Sequence, residues 1–365
     1  MEVTLSKDLL VEQLQLASKF TSNRLASSSA LQGVLLLTDN LTLHIYSTNL
    51  NAYFHTTIVL KELIKARVVV EPKKILEFLL LLNPGEVVIS ISEKQVVIAQ
   101  AKTKGSFPVI MTDDFPLPPQ MKEEVQKMDA QEFVKKLPLV LFTASNDDTR
   151  PVLTGINFVN SEGEFLMVST DGFRLSIIKE KRSLSLPSMI IPSDFLSELI
   201  RNVKTEKNLS FVYSEEEKIM KFSIGNADFY TRLIDGDFPP FDRVVPTEMK
   251  TKVVVDRSEF IRNIKLISIF AREYSNIVIC EFTKEGLTLK PKKEADQENT
   301  TFQEIEIEGE DQKVAFNLKY VLDLLNHIHE EKIIIELLRS DAPVCFKIAK
   351  DPSFLHIIMP VRITE

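Results

Sequence analysis

His327 and His329 are the closest pair among the five histidines of this 365-residue chain, so a metal or acid–base site would start there. They lie two apart on a predicted helix, and residues two apart point to different faces, so one ion cannot take both. His44, His55 and His356 stand singly in strand-like runs. Asp171 and Asp235 each precede a glycine, an arrangement that suits a tight turn better than proton transfer. No Gly-rich phosphate loop, G-x-S-x-G or C-x-x-C occurs. Cys280 and Cys345 sit far apart in apolar, strand-like runs and read as buried, reduced thiols of a cytoplasmic protein. The residues therefore predict no catalytic group, no metal and no cofactor.

The elements that would carry any site repeat at a spacing of roughly 120 residues, too long for a solenoid unit. Ser6-Lys7-Asp8-Leu9-Leu10 is answered by Asp129-Ala130-Gln131-Glu132-Phe133 and by Asp256-Arg257-Ser258-Glu259-Phe260. Gly33-Val34-Leu35-Leu36 is answered by Gly155-Ile156-Asn157-Phe158 and Asn276-Ile277-Val278-Ile279. Each repeat opens on an amphipathic helix. Asp129 with Glu132, and Asp256 with Glu259, have the spacing of a capping box. Phe133, Val134, Leu137 and Val140 then recur at helical spacing, as do Phe260, Ile261, Ile264 and Ile267. A second helix is predicted over Lys73–Leu82, Ser193–Val203 and Asn317–Ile328, among short alternating strands. Asp39-Asn40 and Glu162-Gly163 mark hairpin turns. The fold class is α+β, with two helices per repeat packed on antiparallel sheets. The proline-rich joints 114–119 and 237–241 place three domains at 1–121, 122–247 and 248–365.

A net charge of −8 makes the chain a poor candidate for gripping nucleic acid over its whole surface. The charge divides as +1 for residues 1–122, −5 for 123–247 and −4 for 248–365. No apolar run approaches the roughly 18 residues of a membrane span, and no basic-then-apolar leader opens the chain.

Four segments carry a family resemblance: Ser169-Thr170-Asp171-Gly172-Phe173-Arg174-Leu175, Leu233–Pro239, Phe316–Leu322 and Ile358-Met359-Pro360-Val361-Arg362. In this order, on a threefold chain, they resemble the bacterial sliding clamp, the beta subunit of DNA polymerase III, over the whole length. The resemblance implies three similar DNA-clamp domains and a ring-shaped head-to-tail homodimer that encircles double-stranded DNA without reading its sequence. It also implies partners that dock by short peptide motifs, namely the replicative polymerase, the clamp loader and repair polymerases. Like domains in heterologous contact close into a ring when the rotation fits. A rival reading is a three-domain peptide-binding scaffold that never closes around DNA.

Three sites follow from the resemblance. The first part of a peptide pocket maps to Leu153, Thr170, Gly172, Phe173, Arg174 and Leu175, with Pro239, Arg243 and Val244. Its second part maps to Asn317, Tyr320, Pro343 and Cys345, and to Ile357, Ile358, Met359, Pro360, Val361, Arg362 and Ile363. Leu153, Leu175, Val244 and Met359 suit a Leu or Phe anchor, with Arg174 and Arg243 as polar contacts at the rim. Phe173 stands where His is common in the family. A DNA-facing lining maps to Arg24, Lys73, Arg150, Arg201 and Lys204. A dimer seam maps to the apolar Phe107, Ile269 and Phe270, with Lys73 or Lys74 facing Glu294, Asp296 or Glu298. Exposed ion pairs contribute only about 0–1 kcal/mol each, so apolar burial must decide that seam.

Overall fold

The computed structural model describes residues 2–22, 28–112, 114–161, 163–181, 186–203, 206–272, 275–292 and 299–362. They form two compact units, one of residues 1–131 and 198–233, the other of 132–197 and 234–365. The division runs through the middle repeat, which gives four strands to each unit.

The first unit is built on one antiparallel sheet of twelve strands. Eight come from the first repeat, and the sheet then continues without a break into the second. Ala52–Val59 pairs with Ala227–Arg232, in register from Ala52↔Thr231 to Thr56↔Ala227. Alternation sets the two faces. Phe54 and Phe229 point into a core with Phe20, at ring separations of 5.2 to 5.8 Å. Helix α1 (Lys7–Ser18) covers this face together with α2 (Pro72–Leu81). Ser6 caps α1 by accepting from the Leu9 N–H, and Pro72 starts α2, where a missing N–H goes unmissed.

The opposite face of that sheet corrects the expectation that His44 and His55 stand singly. They are diagonal neighbours on adjacent strands, with His44 Nδ1 3.0 Å from His55 Nε2. Tyr46 stacks on His55 at 4.3 Å. Beyond the joint, Asp228 lies 3.8 Å from His55 Nδ1 and 2.9 Å from Lys221 Nζ. Burial alone would raise the Asp228 carboxyl, but hydrogen bonds from His55, Ser223 and Lys221 override it and hold it at about 2.

The second unit carries a nine-stranded and a four-stranded sheet. Its joint is the pair Arg174–Glu180 and Asp351–Ile358, which binds a strand of the second repeat to the last strand of the third. The helical pattern after Asp129 predicts one helix, but the structure has two, α3 (Ala130–Lys136) and α4 (Pro138–Leu141). Leu137 N–H still reaches the Phe133 carbonyl at 2.9 Å, and Pro138 has no N–H to continue the ladder. Helices α5 (Ser193–Ile200), α6 (Arg257–Ala271) and α7 (Leu318–His327) follow. Asp256 caps α6 by accepting from Glu259 N–H at 2.8 Å, as its spacing predicts, and Asn317 caps α7 through Lys319 N–H. Among the described residues no helix is long and apolar enough to cross a membrane.

At the second joint His356 stands opposite Ser176 and is fully buried. Its Nδ1 is 2.7 Å from Ser176 Oγ, which lies 2.7 Å from Thr143 Oγ1, while Nε2 has no partner among the described residues. Phe142, Phe346 and Phe354 surround the ring. Burial first, then the charge of Arg174, lowers its pKa well below 6.5. The folded chain therefore keeps this imidazole neutral, whereas the unfolded chain protonates it near the ordinary value. Below that value the unfolded state binds more protons than the folded one, so stability decreases as the pH is lowered through it. We expect the urea midpoint to drop between about pH 7.5 and about pH 5.5, and His356→Phe to remove that share of the drop. The same pH sensitivity in both proteins would refute this account.

Candidate functional site

A cavity of about 170 Å³ opens in the second unit at the end of its strand joint. Antiparallel register sets Leu175 opposite Ile357 and Arg174 opposite Ile358, so residues from two repeats share one wall. Leu153 arrives from the single turn Pro151–Leu153, and Phe241 and Val244 from the turn Phe241–Val244 that follows Pro239-Pro240. Prolines hold the entry to both turns rigid. Leu175 and Ile357 also belong to a buried cluster with Leu166, Val168, Ile177 and Cys345, which gives the cavity a packed floor. A small, pre-formed apolar concavity with few polar groups suits an apolar side chain presented by a peptide.

The rim is a self-bonded turn. Gly172 adopts φ +93°, a region that side chains avoid. Thr170 Oγ1 donates to the Arg174 carbonyl at 2.6 Å and accepts from Gly172 N–H at 3.0 Å. Asp171 Oδ1 accepts from the N–H groups of Phe173 and Arg174. Met359 N–H donates to the Phe173 carbonyl at 2.9 Å, tying the chain end to this turn. Phe173 is 57% exposed at the mouth and stacks on Tyr320 at 6.2 Å.

The pocket residues predicted from sequence separate into groups. Leu153, Thr170, Gly172, Phe173, Arg174, Leu175, Pro239, Val244, Ile357 and Met359 line the cavity. Pro240 and Phe241 line it too, and the sequence reading missed them, although the Pro239-Pro240-Phe241 run was the available signal. Arg174 corrects the rim expectation. It is only 9% exposed, and its guanidinium is held by Asp171, Asp323 and the Phe142 carbonyl. Arg243 is exposed and stands outside the lining. Tyr320 stands outside the lining and meets it through Phe173 and Arg174, and Asn317 serves as a helix cap. Cys345 lies in the cluster beneath, where burial, then the charge of Glu336, pushes its thiol up to about 12. Ile358 is fully buried. Pro343, Pro360, Val361 and Arg362 stand outside the lining, and Val361 N–H is bonded to the Ala315 carbonyl. Ile363 lies outside the described residues.

Of the residues assigned to DNA, Arg24 and Lys204 lie outside the described residues. Lys73 is exposed in the first turn of α2. Arg150 donates from Nε to Asp147 at 3.2 Å, and Arg201 pairs with Glu198, so local carboxylates share both charges. Of the seam residues, Glu294, Asp296 and Glu298 lie outside the described residues. Ile269 and Phe270 are exposed on α6, at 61% and 41%. Phe107 is instead buried against Phe78, at 5.6 Å between rings. Lys74 lies 3.9 Å from Glu71. The exposed Leu80 and Leu81 of α2 are apolar surface that the sequence reading did not single out.

Family models of the DNA polymerase III beta subunit match nearly the whole chain. The N-terminal domain matches residues 1–119, the central domain 127–240 and the C-terminal domain 242–362. The beta sliding clamp of Bacillus subtilis (strain 168) is 26% identical over 380 residues, covering 99% of this chain and 100% of that protein. The beta sliding clamp of Staphylococcus aureus (strain Mu50 / ATCC 700699) is 28% identical over 292 residues, 76% of each chain. The crystal structure of the DNA polymerase III beta subunit from Thermotoga maritima superposes with a TM-score of 0.91 at 25% identity, covering 100% of both chains. With all three domains matched in order, this chain belongs to the DNA polymerase III beta subunit family, the DNA sliding clamps.

Proposed function

We propose that this sliding clamp works as a head-to-tail homodimer in the cytoplasm, closed as a ring around double-stranded DNA. In this reading it tethers the replicative polymerase, and in turn the clamp loader and repair polymerases, through peptides seated in the cavity. Its action is topological and mechanical, with no chemistry of its own. The domains are the three repeats, bounded at 1–121, 122–247 and 248–365. The observation that carries the docking role is the pre-formed apolar cavity of about 170 Å³ between Leu175, Val244, Ile357 and Met359, in a chain of this family. Support for the ring is indirect: an acidic chain holds DNA better by linkage than by phosphate contacts, and Ile269 and Phe270 leave apolar surface open on α6. The first repeat (+1) facing the third (−4) of a second copy has the right sign of charge.

Encirclement is tested on a nicked circular plasmid loaded with the clamp by an ATP-driven loader and then linearised. The clamp should run off the cut ends and stay on the closed circle. Equal retention on both forms would favour the open scaffold instead. Docking is tested with a fluorescein-labelled pentapeptide ending in Leu-Phe. Leu175→Ala with Met359→Ala should weaken its binding at least about tenfold, as loss of buried anchor contacts does, with the fold retained. An unchanged affinity would remove the cavity from the proposal.

A further inference from the structure

Among the described residues Arg174 is the only charged side chain in the cavity lining, yet its charge is turned to partners outside that lining. Nε donates to Asp171 Oδ2 at 3.0 Å, within the rim turn. Nη1 donates to Asp323 Oδ2 at 2.8 Å, on α7. Nη2 donates to the Phe142 carbonyl at 3.1 Å, just past α4. Its flat faces are taken as well: the guanidinium carbon lies 4.7 Å from the Tyr320 ring centre and 5.5 Å from that of Phe142. The circuit closes on α7. His327 Nδ1 is 2.7 Å from the Asp323 carbonyl, and the His327 ring stacks on Phe142 at 4.5 Å.

From this arrangement we infer that Asp323, which lines no part of the cavity, is a positioning residue for peptide capture. It fixes the Arg174 guanidinium within the cavity wall and anchors the rim turn to α7. The inference rests on the docking role proposed above. The rim turn is bonded mostly to itself, through Thr170 and Asp171. Besides the Phe173–Tyr320 stack, its side-chain link to the helices beneath among the described residues is Arg174, and Asp323 supplies the carboxylate of that link from outside the turn. Three consequences follow from the same geometry. The guanidinium stays over the Tyr320 ring, so the aromatic pair of Tyr320 and Phe173 keeps its place at the mouth. The Phe173 carbonyl stays where Met359 N–H can meet it. The wall left facing the cavity is mostly apolar, because three of the five guanidinium N–H groups are directed to Asp171, Asp323 and the Phe142 carbonyl. A site held in its binding shape before the ligand arrives avoids the ordering penalty of closing on it.

Asp323 is 47% exposed, so its removal perturbs the site more than the core. Asp323→Asn keeps the size and one acceptor but loses the charge. It should weaken binding of the fluorescein-labelled Leu-Phe pentapeptide about tenfold, the scale of a charge-assisted hydrogen bond. Asp323→Glu should recover affinity to within about threefold of the parent, because the carboxylate can still reach a guanidinium. Circular dichroism and the thermal midpoint check that both variants stay folded. Asparagine binding as tightly as the parent overturns the inference, and so does glutamate binding as weakly as asparagine. Leu175→Ala with Met359→Ala runs beside them as the control for the cavity. If that control leaves peptide binding intact, the docking role fails; if it abolishes binding while Asp323→Asn does not, only the positioning role fails.

Discussion

Five antiparallel residue pairs, Arg174 to Ile178 against Ile358 to Phe354, set the terms for the rest of the second unit. Side chains alternate across a strand, so this register sends Leu175, Ile177, Leu355 and Ile357 to one face and Arg174, Ser176, His356 and Ile358 to the other. The first face becomes the cavity floor and its supporting cluster. The second becomes the polar layer under α4 and α7. A slip of one residue would exchange the two sets, putting an arginine and a histidine in the apolar cluster. Many groups oppose that slip at once. His356 would lose Ser176, Arg174 would lose Asp323, and Met359 would lose the Phe173 carbonyl.

The first unit uses the same device with different chemistry. Its joint pairs Ala52–Thr56 with Ala227–Thr231, again between strands of two repeats. One face buries Phe54 and Phe229. The other carries His55 and Asp228 as direct neighbours, with His44, Tyr46 and Lys221 around them. The repeats thus share a way of joining but not a way of using the joint. At one joint the polar groups lie on a partly exposed face; at the other they are buried, and the opposite, apolar face forms the floor of the cavity.

Local features were legible in the sequence because short-range physics decides them. Asp256 and Asn317 cap helices three and two residues onward, and Asn40 takes a positive φ in the turn that its type favours. Much of the cavity lining was legible too, through the family resemblance. What escaped depends on partners far along the chain. An arginine in an Asp-Gly turn looks exposed until Asp323, 149 residues away, is placed beside it. His44 and His55 are 11 residues apart and look solitary until the strand register makes them diagonal neighbours. Pro138 was visible, but the apolar spacing across it masked the break between α3 and α4.

The strand Asp351–Ile358 supplies Ile357 to the cavity and covers the free edge of Arg174–Glu180. A chain cut before Asp351 would hold most of the other lining residues but lack the wall that Ile357 and Met359 supply. It also leaves an open strand edge rich in apolar side chains. Closing the cavity wall and covering the strand edge are therefore one and the same event for this molecule.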